Sequence, residues 1–468
     1  MNQDKSTAQQ TPDPRMRKGS NARIRALSAT GSSGRIVGLA FQGGSFLAGA
    51  IATGVVEGLL GRRAFDRYDI NAFSGTSAGA LVAAVCWRHC MQDRDLKPRQ
   101  EQMLSAHETL LQQWLHNANG LIPNQTVGDW MKIVDHFWSL NPAYFEWKDR
   151  VSVPWLHREF ASWVDAYVQP EASISLLYER YVRPAEQGGT VDLPAARANF
   201  ENDAQRPRLI VGATRVVDSE AVQIGDRDFF VELLRVLAQP GVDREVAVRA
   251  AADYMRLGIM ASGSLDFLNG MTTIENGRHA GTYLDGAWSE NPPLKGLLDA
   301  GVDQIWMVEV FPKTCAEVPD TFAEREDRRE ELWQNAVVEQ QAEFIKKVNL
   351  WIESGRLISE AGKLDALRED LRARLQEPMS EAGRRLLAAF RESDQHWRDC
   401  IDEGNRIVDM EALLGRLLKP YRHVGWARVK LPPQMQPLTA GARIVNDRRF
   451  LLDKIEVGRR MIEDFLSA

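Results

Sequence analysis

The apolar positions of this chain follow two rhythms. Short runs rich in β-branched and apolar residues read as buried strands: "RIVGLAF" (35–41), "DINAFSG" (69–75), "RLIVGATRVV" (208–217), "IWMVEVF" (305–311) and "HVGWARVKL" (423–431). Between them, apolar residues recur at helical spacing. "AIATGVVEGLLGRR" (50–63) follows the glycine-rich loop "QGGSFLAG" and ends in Gly and basic residues, as helices do. "AGALVAAVCWRHC" (78–90) is apolar on nearly all sides and predicts a buried helix. The alternation of strand, loop, helix, strand, turn and helix within about 55 residues predicts an α/β sheet with parallel neighbours. A hairpin is expected where "DSEA" follows the strand at 208–217.

The rest of the pattern divides the chain. Residues 1–34 are polar and predict a disordered arm, without the apolar run of a secretory signal. An α/β domain is expected over 35–315. Within it a helical insertion spans about 92–200 and carries Trp114, Trp130, Trp138, Trp147, Trp155 and Trp163. These rings suit either a core or a lid at a lipid–water boundary. Residues 316–420 read as an insertion of long charged helices, a solvated face or an oligomer contact. The strand at 423–431 and a closing helix at 449–466 make 421–468 a return to the sheet. The stretch 36–56 is long and apolar enough to resemble a membrane span, but Gly43-Gly44 divides it into strand, loop and helix.

Composition narrows the function. With 468 residues and a net charge of −6, the chain lacks the basic excess of a nucleic-acid binder. Four cysteines are few for this length; Cys86 and Cys90 share a helix face and read as buried thiols, which suits a reducing, cytoplasmic setting. No second ligand pair with metal spacing accompanies them.

Three segments carry candidate chemistry. Gly75, Ser77 and Gly79 form G-x-S-x-G between an apolar strand and an apolar helix, the context of a serine on a sharp strand-to-helix turn. The alternative is a serine that only caps the helix. The loop "FQGGSFLAG" has neither dinucleotide nor phosphate-loop chemistry, yet its amides at a helix start could hold an oxyanion. "YLDGAWSENPP" (283–293) places Asp285-Gly286 in a tight turn. None of the eight histidines sits in an obvious partner motif for Ser77, although Ser77, Asp285 and His423 do stand in the chain order of an α/β-hydrolase triad.

The ordered set of glycine loop, "SGTSAG" and "DGA…NPP" resembles the patatin-like phospholipase family. "RLIVGATRV", "ASGSL" (261–265) and "DKIEVGRRMIEDFL" extend the similarity. The resemblance implies a three-layer α/β/α sandwich with a mostly parallel sheet. It implies a lipid acyl hydrolase working through a Ser–Asp dyad, without metal or cofactor, in transient contact with lipid surfaces. It makes Ser77 the nucleophile, Asp285 the general base, and the backbone of Gly43, Gly44 and Ser45 the oxyanion hole. The chain departs from the family at Ser45-Phe46-Leu47, where a third glycine and a nearby basic residue are usual. It departs again at Asp266, often proline, and at Ala287, usually glycine. A non-catalytic lipid-binding or scaffold member of the fold is the alternative.

Overall fold

The computed structural model describes residues 35–92, 94–124, 126–131, 141, 153–265, 270–315, 318–357, 361–376, 380–393, 401, 406–407, 410, 413–414, 421–432 and 440–468. The expected arm at 1–34, Trp138, Trp147, Asp266 and Cys400 lie outside the described residues.

The first strand, β1 (Ile36–Phe41), alternates as its sequence suggests. Val37, Leu39 and Phe41 enter the larger core cluster, and Ala40 enters the smaller one on the opposite face. A Cβ on Gly38 would stand 3.0 Å from Leu297 Cδ2, so β1 is covered on both faces. The helix α1 (Ser45–Gly61) begins at Ser45 rather than at Ala50. The glycine loop is thus shorter than expected, because Gly44 and Ser45 make the turn with φ +144° and +54°. Gly49 is then a helix residue whose bare face receives the ring of Trp114; a Cβ there would lie 2.1 Å from Trp114 Cζ2.

Apart from a two-residue hairpin of Glu186–Gln187 and Thr190–Val191, the remaining strands are β2 (Asp69–Gly75), β3 (Arg208–Arg215), β4 (Ala221–Gly225), β5 (Thr272–Ile274), β6 (Gly281–Asp285), β7 (Gln304–Val308) and β8 (Gly425–Val429). They form one 8-stranded sheet in the order β8-β7-β1-β2-β3-β6-β5, with β4 on β3. The pairs from β8 through β3 are parallel; β4, β6 and β5 add antiparallel partners. The "DSEA" hairpin is the β3–β4 turn.

One face of the sheet carries α1, α2 (Ala78–Gln92), α3 (Arg99–His116), α7 (Arg244–Ser262) and the closing helix α11 (Arg448–Ser467); α4 (Pro170–Leu177), α5 (Leu193–Glu201) and α6 (Asp226–Leu237) precede α7 in the chain, and α9 (Ala361–Gln376) and α10 (Glu381–Ser393) precede α11. Helices α1 and α11 pack backbone to backbone: a Cβ on Gly54 would sit 1.8 Å from Ile455 O, and one on Gly458 would sit 2.0 Å from Ile51 O. The other face carries α8 (Phe322–Glu353), whose Val338 and Ile345 close the smaller core cluster over Ile305 and Met307. The charged helical stretch therefore supplies a layer of the sandwich, and α8 hides an apolar stripe beneath its charges. Strand β8 then pairs in parallel with β7, the expected return to the sheet.

The stretch 36–56 is divided between β1 and α1, and among the described residues no helix is long and apolar enough to cross a membrane. Cys86 and Cys90 are buried and unpaired, and burial pushes both thiols up. Trp114 is buried, whereas Trp130 and Trp155 are exposed.

Candidate active site

Strand pairing brings the chemistry together. The residues of β3 that pair with β4 overlap those that pair with β2 and those that pair with β6, so β2 and β6 share the opposite edge of β3. They run toward each other along it. Strand β2 ends with Gly75 opposite Val211, and β6 ends with Asp285 opposite Ala213. Gly212 lies between. A Cβ on Gly212 would touch Thr76 Oγ1 at 3.1 Å, and one on Gly286 would strike Gly212 O at 2.2 Å.

Ser77 sits on the turn from β2 into α2 with φ +55°, a left-handed conformation costly for a residue with a side chain. Its surroundings hold it there. The Ser77 amide donates to Ser262 O at 3.1 Å and to Ser262 Oγ at 3.0 Å. The flanking glycines are required by contact: a Cβ on Gly75 would lie 2.2 Å from Gly79 O, and one on Gly79 would lie 2.3 Å from Phe41 O. Helix α2 starts at Ala78, so its positive end faces the hydroxyl.

Asp285 is buried, with 1 % of its surface exposed. Its amide donates to Ser264 O at 2.8 Å, and its Oδ1 accepts from the Ala287 amide at 2.8 Å. The Ser77 side chain lies near enough to its carboxylate to favour the ionised form. Burial pushes the Asp285 carboxyl up to about 7, outweighing the Ala287 hydrogen bond and the Ser77 side chain; the charge of Glu330 pushes the same way.

The glycine loop lies against the serine. A Cβ on Gly43 would stand 2.9 Å from Ser77 Cβ. Gly44 and Ser45 (φ +54°) follow in positive-φ conformations, and their amides make no hydrogen bond to a described residue. Gly43, the first of the three expected oxyanion donors, is different. The Gly43 amide is already committed to Asn291 Oδ1 at 2.6 Å. The loop is held on its other side by Gln42, whose Oε1 accepts from Val310 N at 2.7 Å and Phe311 N at 3.2 Å.

His423 does not join the site. It is exposed, its Nε2 lies 3.1 Å from Glu353 Oε1, and it precedes β8 at the end of the sheet where the parallel strands begin. Ser77 lies at the end where they finish. A triad through His423 is therefore overturned by position. Ser262, Gln42 and Asn291 went unrecognised as site residues in the sequence, although "ASGSL" and "ENPP" contain two of them; contacts across long stretches of chain leave no local spacing to read. Among the described residues no cluster of His, Cys, Asp and Glu is arranged to hold a metal ion.

A family model described as patatin-like phospholipase matches residues 39–298, more than half of the chain. The chain belongs to the patatin-like phospholipase family. Among solved structures it is similar to VipD from Legionella pneumophila, with 12% identity and a TM-score of 0.25, over 91% of this chain and 67% of that one. No curated protein matches it.

The departures of this patatin-like chain from its family have physical readings. Within the departing segment, Phe46 meets Trp114 and Trp163 edge-on, with centroids 6.1 and 5.6 Å apart. Ala287 serves Asp285 through its amide, which a methyl side chain does not disturb.

The raised carboxyl has a consequence for stability. Folding lifts Asp285 from 3.8 to about 7, so the folded chain holds this proton more tightly than the unfolded chain. The associated stability is complete below the unfolded value and is lost as pH rises through about 7. Asp285→Asn removes the penalty. Urea unfolding should show Asp285→Asn more stable than wild type by about 1–3 kcal/mol at alkaline pH, with the gap closing in acid. Equal stability across that range would contradict a desolvated Asp285.

Proposed function

We propose that this chain is a serine lipid acyl hydrolase that cleaves carboxylic esters of phospholipids or acylglycerols through a Ser77–Asp285 dyad. The observation that carries this reading is the meeting of a serine on a left-handed strand-to-helix turn with a buried carboxyl raised to about 7. A base near neutrality can take the proton and later return it. Ser77 Oγ attacks the ester carbonyl while its proton passes to Asp285. The tetrahedral oxyanion is held by the Gly44 and Ser45 amides and the positive end of α2, where loss of one donor costs on the order of 3 kcal/mol. Asp285 then protonates the departing alcohol. Water attacks the acyl-enzyme, with Asp285 again the base, and Ser77 is released. No step requires a metal or cofactor.

Contact with lipid is peripheral in this reading. Trp288, just past Asp285, packs on Trp333 of α8 with ring centroids 4.9 Å apart, and both rings stay partly exposed. Their position is anchored by Gln334 Nε2, which donates to Ala287 O at 3.1 Å. Paired tryptophans beside an ester-cleaving site suit the boundary between headgroups and water.

A lipid-class hydrolysis panel tests the proposal. Ser77→Ala and Asp285→Ala should each lower turnover by about 1,000-fold or more, while His423→Ala stays within about twofold of wild type. Wild-type kcat/KM should rise with pH and level off above about 7. Trp288→Ala with Trp333→Ala should slow hydrolysis in vesicles by about tenfold and leave a soluble short-chain ester within about twofold. Full activity in Ser77→Ala overturns the mechanism; a wild type that binds vesicles without hydrolysing any lipid class favours the non-catalytic reading, for which the altered Ser45-Phe46 loop speaks.

A further inference from the structure

Asn291 is completely buried. Its Oδ1 accepts the Gly43 amide at 2.6 Å, and its main-chain carbonyl accepts from Gln42 Nε2 at 3.1 Å. An amide N–H can meet only an acceptor, so the Gly43 bond fixes which end of the Asn291 side chain faces the loop. The other end, Nδ2, has no partner among the described residues. A buried carboxamide kept for packing ordinarily satisfies both its ends. Here the Oδ1 end grips the glycine loop, and the main-chain carbonyl of the same residue holds Gln42 beside it.

The same segment also grips the nucleophile turn. Thr76 Oγ1 donates to Glu290 O at 2.8 Å. Residues 290 and 291 thus hold the loop before α1 and the turn before α2 in one fixed relation. That relation is tight, since Gly43 has no room for a Cβ beside Ser77. Beyond Gly43, Gly44 and Ser45 take φ values of +144° and +54°. Such conformations persist only where neighbouring contacts over-determine them.

We propose that Asn291 is a positioning residue for acyl transfer: by holding the Gly43 amide it sets the turn that aims the Gly44 and Ser45 amides at the oxyanion formed on Ser77. This rests on the reading of that loop as the oxyanion hole. Asn291 touches neither substrate nor reacting atoms. Its effect falls on the tetrahedral stage, so it governs kcat more than KM.

The test is hydrolysis of a soluble short-chain ester by the full chain, as wild type, Asn291→Ala and Asn291→Asp, with melting temperatures recorded alongside. Asn291→Ala should lower kcat by about 50-fold or more and leave KM within about threefold. Asn291→Asp keeps an acceptor for Gly43 and, when protonated, is neutral like the amide. Its rate relative to wild type should be highest in acid and fall as the new carboxyl ionises beside the developing oxyanion. If Asn291→Ala does not fold, this pH-dependent ratio carries the test. A ratio flat with pH, or a folded Asn291→Ala with kcat within about threefold of wild type, overturns the role of Asn291 alone. A wild type that hydrolyses no ester overturns it together with the reading on which it rests.

Discussion

Two strands meeting end to end on one edge of β3 are the constraint on which the rest of the site depends. A serine after β2 and an aspartate at the end of β6 are more than two hundred residues apart in sequence, yet the register of β3 leaves only Gly212 between their strands. The approach is possible because the meeting point is lined with glycine. Gly75, Gly79, Gly212 and Gly286 each stand where a side chain would strike or crowd a neighbour. The G-x-S-x-G and Asp-Gly patterns are thus two sides of one steric problem, the close approach of backbones around a hydroxyl and a carboxyl.

Burial then converts this geometry into chemistry. In water a carboxylate is a poor base for a hydroxyl; enclosed here, Asp285 is pushed toward neutrality, which in the proposed mechanism matches it better to the proton it would carry. The same desolvation disfavours the charged folded state. In the proposed mechanism the site is a place where stability is given up for reactivity, along with the left-handed serine held by Ser262. The sandwich around it absorbs both, with apolar clusters on each face of the sheet and α1 and α11 in backbone contact.

Much of this was legible in the sequence. Strand β2 matches the apolar run at 69–75 residue for residue, and β1 differs from its run at one end only. The buried helix after Ser77 and the return of β8 to the sheet follow from periodicity and order. What could not be read were relations set by tertiary contact. Helix α1 starts earlier than its periodicity suggested, since two consecutive residues with positive φ, Gly44 and Ser45, replace a whole loop. Helix α8 looks solvated because its charges outnumber the few apolar residues that cover the sheet. The commitment of the Gly43 amide to Asn291 joins residues 248 positions apart, beyond any spacing rule.

The account turns on a serine whose hydroxyl is activated by a carboxylate titrating near neutrality. The most direct measurement is the rate of covalent reaction with a fluorophosphonate across pH, with the adduct located by mass spectrometry. The structure predicts a single adduct at Ser77, forming faster as pH rises and levelling off above about 7. No adduct under conditions that label a known lipase, or an adduct at Ser77 whose rate ignores pH, would contradict it.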